Sequence, residues 1–274
     1  MRKAKKIKGL LIDLDGTVYR GKSSIKGAKA FIEKLITSQT PFLFLTNNSM
    51  RSHQEVQAFL EKEHHILVDP ERVYSSVDAL VYALKDAYHQ VDHQQAAYII
   101  GSEILKKSVS DLGFELRTNI DQQIDLVVVG LNQSVFYDQL AQAAIAVQRG
   151  ADFYLTNPDI QFPDERGFVP GAGSLGRMIS EVSRTRPMVC GKPEKLIMSG
   201  ALAKLGLQAD EVAMLGDNLT TDILAANRMD MPAILIETGV HHKEDLEDFS
   251  AKPDYIVKDY EELGKLWQEI SDFT

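Results

Sequence analysis

A single cysteine in 274 residues, Cys190, has no partner for an intramolecular disulfide and cannot build a thiolate-rich metal site, which points to a reducing, cytoplasmic setting. Positive charge is also scarce: 30 Lys and Arg stand against 39 Asp and Glu, a net charge of −9. No general affinity for nucleic acid or for an anionic membrane surface is expected from that balance. Any negatively charged ligand then has to be caught by a local device. No apolar run reaches the roughly 18 residues of a membrane span. Arg2, Lys3, Lys5, Lys6 and Lys8 have the charge of a signal-peptide start, but Asp13 and Asp15 interrupt the apolar stretch behind them, and a solvated end is the simpler reading. Fixed-period repeats and low-complexity linkers are missing too. These absences exclude the secreted, membrane-embedded, collagenous and disordered classes and leave a soluble cytoplasmic protein, long enough for about two domains of roughly 150 residues each.

What is present is a rhythm. Short apolar runs at 9–14, 41–45, 97–100, 125–129, 152–155, 187–190, 212–215, 233–236 and 254–257 alternate with helix-length amphipathic runs, the pattern of an α/β fold with a largely parallel sheet. Their Val, Ile and Leu content suits strands covered on both faces. The run 136–149 puts Phe136, Leu140, Ala143, Ala144 and Val147 on one helical face and stops at Gly150, a helix-ending signal. The runs 221–229 and 259–270 also read as helices.

Four strand ends carry polar groups. In Asp13-Leu14-Asp15-Gly16-Thr17-Val18, strand alternation puts Asp13 and Asp15 on one side, and carboxylates that close repel unless a cation or a shared proton lies between them. A solvated acidic turn is the plain alternative, and a calcium loop fits worse because the glycine falls at the fourth position and no Glu closes the loop. Thr46-Asn47-Asn48-Ser49 ends an apolar run with groups suited either to phosphate oxygens or to ordinary helix capping. Lys192 in Gly191-Lys192-Pro193 follows the run 187–190; a lone lysine is usually a solvated charge. Asp217 ends the run 212–215 in Gly216-Asp217-Asn218, and Asp222 stands five residues on, where an acid also suits a helix N-terminus.

As an ordered set these segments resemble the haloacid dehalogenase superfamily of phosphatases, all four of whose motifs appear in sequence. Asp13-Leu-Asp-Gly-Thr-Val18, Leu45-Thr-Asn-Asn48, Gly191-Lys-Pro193 and Gly216-Asp-Asn-Leu-Thr-Thr-Asp222 look like the versions of its NagD-like, or class IIA, subfamily. Thr156-Asn-Pro-Asp159 and Pro170-Gly-Ala-Gly-Ser-Leu175 resemble segments of that subfamily's large cap. The resemblance implies a Rossmann-like parallel-sheet core of 1–78 and 183–274 with an inserted α/β cap of 79–182; the strand runs inside that span are enough for a small separate unit. It also implies an aspartyl-phosphate mechanism, with Asp13 as nucleophile and Asp15 as general acid and base. Mg²⁺ would be held by the Asp13 and Asp217 carboxylates and the Asp15 carbonyl. Lys192 and Thr46, with the backbone near Asn47, would hold the phosphoryl oxygens. Asp222 would orient Lys192 or a water of the metal shell, and Asn218 would add a further contact to phosphate or such a water. Asn157, Asp159 and the loop 162–168 are candidates for choosing the substrate, against the plain reading of a Pro- and Asp-rich surface loop.

Three decoys remain. Gly171-Ala-Gly-Ser-Leu-Gly176 matches a dinucleotide fingerprint, but the polar, proline-stopped stretch before it is not a buried strand, so a helix start fits better. His89 and His93 have helical spacing without an acidic partner in a metalloprotease motif, and Cys190 suits a small buried hydrophobe. The implied activity is Mg²⁺-dependent hydrolysis of a small phosphorylated metabolite, a sugar phosphate or nucleoside monophosphate, with a cap face available for self-association. A phosphomutase on the same fold and a sugar-phosphate-binding regulator without turnover are the rivals; the intact Asp13, Asp15, Lys192 and Asp217 set weighs against the regulator. Residues 79–182 hold 7 basic and 13 acidic residues and the remainder 23 and 26, so the four motif aspartates outside the cap account for that remainder's acidity.

Overall fold

The computed structural model describes residues 6–88, 95–164 and 166–272, so His89 and His93 lie outside the described residues. In chain order the strands are β1 (Gly9–Ile12), β2 (Tyr19–Arg20), β3 (Ser23–Ser24), β4 (Phe42–Thr46), β5 (Val73–Ser75), β6 (Ala96–Ile100), β7 (Glu115–Arg117), β8 (Leu126–Val129), β9 (Asp152–Leu155), β10 (Gln161–Asp164), β11 (Gly167–Pro170), β12 (Met188–Val189), β13 (Val212–Gly216), β14 (Ala233–Ile236) and β15 (Tyr255–Val257). The helices are α1 (Ala28–Thr37), α2 (His53–His64), α3 (Ser76–Ala87), α4 (Glu103–Ser110), α5 (Tyr137–Gln148), α6 (Ala172–Ser183), α7 (Lys195–Leu205), α8 (Leu224–Arg228) and α9 (Tyr260–Ile270). Each of the nine apolar runs forms a strand within two residues of its expected bounds. Strands β5 and β7 and the hairpins β2–β3 and β10–β11 were not expected; they are too short or too polar to stand out as apolar runs.

The chain divides into two units, one of Met1–Thr46, His53–Tyr74 and Lys192–Thr274, the other of Asn47–Ser52 and Ser75–Gly191. The first holds a six-stranded sheet ordered β15-β14-β13-β1-β4-β5. Strand β1 is parallel to both its neighbours, with Ile12 level with Leu215 of β13 and Phe44 of β4. The chain turns to one side of β1 after its first strand and to the other later, which makes the C-terminal end of β1 a topological switch point, the place where open α/β sheets bind ligands. Every residue of β1, β13 and β14 is buried, as strands covered on both faces require. Leu10, Ile12, Phe44, Leu215 and Ile234 pack with Phe31 of α1 and with Leu263 and Trp267 of α9.

In the second unit, β12-β9-β8-β6-β7 form an all-parallel sheet. Strand β12 falls within the 183–274 span expected for the core, yet it extends this sheet, with Met188 level with Tyr154 and Val189 with Leu155. Val127, Val129, Phe153 and Leu155 meet Ala143, Ala144 and Val147 of α5 and Leu175 and Ile179 of α6. Phe136 departs from the expected helical face. It sits at the N-cap of α5, one residue before the helix, and is 60 % exposed. The fingerprint-like glycines have a packing reason: a Cβ on Gly171 or Gly173 would lie 2.2 Å from the carbonyl oxygen of Asp159 or Pro158, respectively. They open α6 against that backbone, after a hairpin strand rather than a buried one.

Candidate active site

Parallel register aligns the ends of β1 and β13, so residues distant in sequence come together just past them. Asp13 follows Ile12 directly, and its N–H donates to the Leu215 carbonyl at 2.9 Å, extending the β1–β13 ladder by one bond. Thr46 is the last residue of β4 and half-buried. Asp217 follows Gly216, the last residue of β13, and Asp222 sits in a single π-helical turn, Leu219–Ile223, that leads into α8 where a regular helix was expected. Such turns recur at functional sites. Asp15 is exposed, in the turn between β1 and β2, and Leu14 between the two aspartates is buried.

Lys192, only 2 % exposed, gathers this set. Its ammonium donates to Asp13 Oδ1 at 2.5 Å, to Asp222 Oδ1 at 2.7 Å and to the Leu45 carbonyl at 3.1 Å. Three donors on a tetrahedral nitrogen are thus matched by three acceptors, which is how a buried ammonium is tolerated. Burial alone would lower the lysine's pKa, but the Asp13 and Asp222 carboxylates outweigh it and hold the group protonated. Asp222 also accepts the Asn218 N–H at 3.1 Å, and Asn218 in turn caps the π turn through Thr220 N–H at 2.9 Å.

One carboxylate oxygen each from Asp13, Asp217 and Asp222 lies within 4.8 Å of the others. Burial first, and then repulsion from Asp222 and Asp217, drives the Asp13 carboxyl well above its usual range despite Lys192. Asp217 is pushed up to about 6 by burial and by Asp222. Three carboxylates around one ammonium leave a negative excess in a nearly dry site. An all-oxygen donor set with that excess fits a hard divalent cation, so this cluster can hold a metal ion.

Asn47, Asn157 and Asp159 belong to the second unit and come together there. The buried Asn157 amide donates to the Asn47 carbonyl at 2.9 Å, the acceptor that Ser76 Oγ also uses, and Asn157 Oδ1 accepts the Asp159 N–H at 3.2 Å. The Asn47 amide approaches both Asp159 carboxylate oxygens, at 3.3 and 3.4 Å. Cys190 is fully buried, and burial pushes its thiol pKa up, as for an inert hydrophobe.

Two contributors have no role in the sequence reading. Thr17, fully buried, donates to Asp217 Oδ1 at 3.2 Å, and Val240 N–H donates to Asp217 Oδ2 at 2.7 Å. Thr17 stands inside the first motif. The Val240 loop follows β14, the strand next to β13, so the strand-end signal that singled out Asp217 applies there as well.

A model of haloacid dehalogenase-like hydrolases matches residues 10–115 and a second HAD-hydrolase-like model matches 189–263. The chain belongs to the haloacid dehalogenase superfamily. Within it the chain is a NagD-like phosphatase, a phosphoric monoester hydrolase with a Rossmann-like α/β core and an inserted α/β cap. It is 39 % identical over 258 residues to the acid sugar phosphatase of Staphylococcus aureus, covering 94 % of this chain and 97 % of that protein. A single mutant of the thermostable NPPase from Geobacillus stearothermophilus superposes with a TM-score of 0.84 at 38 % identity, over 94 % of this chain and 98 % of that one. NagD from E. coli K-12 gives a TM-score of 0.84 at 29 % identity, over 93 % and 97 %. Among the described residues no helix is long and apolar enough to cross a membrane.

Proposed function

We propose that this enzyme hydrolyses small sugar phosphates, and nucleoside monophosphates less well, with Mg²⁺ and through an aspartyl phosphate on Asp13. The observation that carries the reading is the group of carboxylates around Lys192 at the C-terminal ends of β1 and β13. The acid sugar phosphatase relative supports the substrate class.

Asp13 attacks phosphorus, and the bond to the ester oxygen breaks with its electron pair staying on that oxygen. Asp15 gives that oxygen a proton; its exposed position supports exchange with substrate and water. Asp15 then takes a proton from the water that attacks the phosphoaspartate, which frees inorganic phosphate and restores Asp13. Lys192 and Thr46 hold the phosphoryl oxygens where charge is spread in the transition state. Asp13, Asp217 and the Asp15 carbonyl would hold Mg²⁺, whose charge offsets the repulsion between a carboxylate and a phosphate. Asp222 keeps Lys192 charged and in place, and Asn218 adds a further contact to phosphate. The cap, proposed over 79–182, chooses the substrate through Asn157, Asp159 and the β10–β11 hairpin that the stretch 162–168 forms. A cytoplasmic location is supported by the single, buried cysteine.

The test is phosphate release from a panel of sugar phosphates, nucleoside monophosphates and p-nitrophenyl phosphate, with Mg²⁺ and with chelator. Sugar phosphates are expected to give the highest kcat/KM and chelator to abolish turnover. Chelator-insensitive release, or full activity in Asp13→Asn, would sink the mechanism. Isomer interconversion in place of phosphate release would show a mutase.

A further inference from the structure

Asp217 sits in a slot that two glycines leave open. Gly16 has a φ of +93°, and a Cβ there would lie 2.3 Å from Asp217 Oδ2. A Cβ on Gly239 would lie 1.8 Å from the same oxygen, closer than any real side chain approaches. The residues after Gly239 continue the enclosure: Val240 N–H donates to Oδ2 at 2.7 Å and His241 N–H donates to the Asp217 carbonyl at 3.0 Å. His241 Nδ1 then accepts the Leu219 N–H at 3.2 Å, tying the loop to the π turn.

The loop is itself anchored. Thr238 Oγ1 donates to the Gly16 carbonyl at 2.8 Å, so the two glycine segments are bonded to each other across the carboxylate. The Arg20 guanidinium, projecting from β2, donates through both Nε and Nη2 to the Thr238 carbonyl. Arg20 is exposed and, among the described residues, bonds neither Asp13 nor Asp217, yet it holds the near end of the segment that contacts the Asp217 carboxylate. Val240, whose N–H fixes the direction of Oδ2, stands two residues from the carbonyl that Arg20 holds.

We propose that the loop 238–241 is a strap that orients the Asp217 carboxylate for a divalent cation, and that Arg20 is its positioning residue. This rests on the reading of Asp217 as a cation ligand. Groups that orient a metal ligand typically change metal affinity about 10- to 100-fold when removed, and the strap belongs to that class.

The experiment is calorimetric titration of the metal-free full-length protein with Mg²⁺, alongside the Mg²⁺ dependence of turnover. Arg20→Ala and Thr238→Val are expected to weaken Mg²⁺ binding by about tenfold, with kcat at saturating Mg²⁺ changed less than about threefold. Thr238→Ser, which keeps the hydroxyl, restores wild-type affinity. Gly239→Ala weakens binding most; should it fail to fold, the exposed Arg20 variant still decides the matter. A merely structural role would lower the metal-free melting temperature and leave Mg²⁺ affinity at the wild-type value, and that result overturns the strap. Asp217→Asn separates the two ideas. If it keeps Mg²⁺ binding, the ligand reading itself falls; if it loses binding while Arg20→Ala and Thr238→Val bind normally, only the strap falls.

Discussion

Lys192 Nζ lies 2.5 Å from Asp13 Oδ1, a contact between residues 179 positions apart in the chain. The Lys192 side chain is only 3 % exposed and that of Asp13 13 %, so the carboxylate is the more open of the two. That asymmetry suits a nucleophile held by a fixed positive charge.

Replacing Asp13, the proposed nucleophile, should separate chemistry from folding. Asp13→Asn is expected to lower kcat by at least about three orders of magnitude, as loss of a covalent nucleophile does. Its metal-free melting temperature should equal or exceed that of the wild type, because burial and the neighbouring aspartates already disfavour the ionised Asp13. Phosphate release and thermal unfolding on the same preparation check both parts.

The lysine should behave in the opposite way. Lys192→Met leaves Asp13 and Asp222 buried without their cation, a change that costs about 3–5 kcal/mol of stability. Adding Asp222→Asn should recover more than about 1 kcal/mol of that loss, and a double-mutant cycle in urea measures the coupling. An additive double variant would show that Asp222 does not depend on Lys192.

Metal removal is expected to destabilise the fold as well as stop turnover. Mg²⁺ at about 100 times its dissociation constant stabilises a one-site protein by about 2.7 kcal/mol. In a protein of this size that corresponds to a melting shift of about 5 °C, reversed by chelator and absent in Asp217→Asn.

A pH effect is expected from a residue away from the carboxylates. His64, at the end of α2, stacks on Tyr19 with ring centroids 4.7 Å apart, and its Nδ1 lies 2.8 Å from Ser24 Oγ. Burial lowers its pKa, although Glu63 and the Gly21 carbonyl favour the proton. The unfolded chain therefore takes up the proton first as pH falls, so this contribution is complete above the ordinary histidine value near 6.5 and is lost below it. The slope of unfolding free energy against pH below 6.5 should be shallower in His64→Gln; an identical slope would exclude the residue.

Strand positions, their parallel character and the four motif segments were legible along the chain. Buried parallel strands are apolar throughout and stop at polar residues, a signal each run carries by itself. Asp13, Asp15, Lys192 and Asp217 stood out because each lies at or just past the end of such a run. The sequence by itself thus determined where the long buried strands lie and which polar groups end them, but not the short strands β5 and β7, the two hairpins or the π turn at 219–223. Only the tertiary structure decided that Lys192 bridges Asp13 and Asp222, that β12 extends the second unit's sheet, and that the Thr238–His241 loop encloses Asp217. Those facts depend on sheet order and register, which bring strand ends together across about 200 residues, and local periodicity carries no information about which strands will be neighbours.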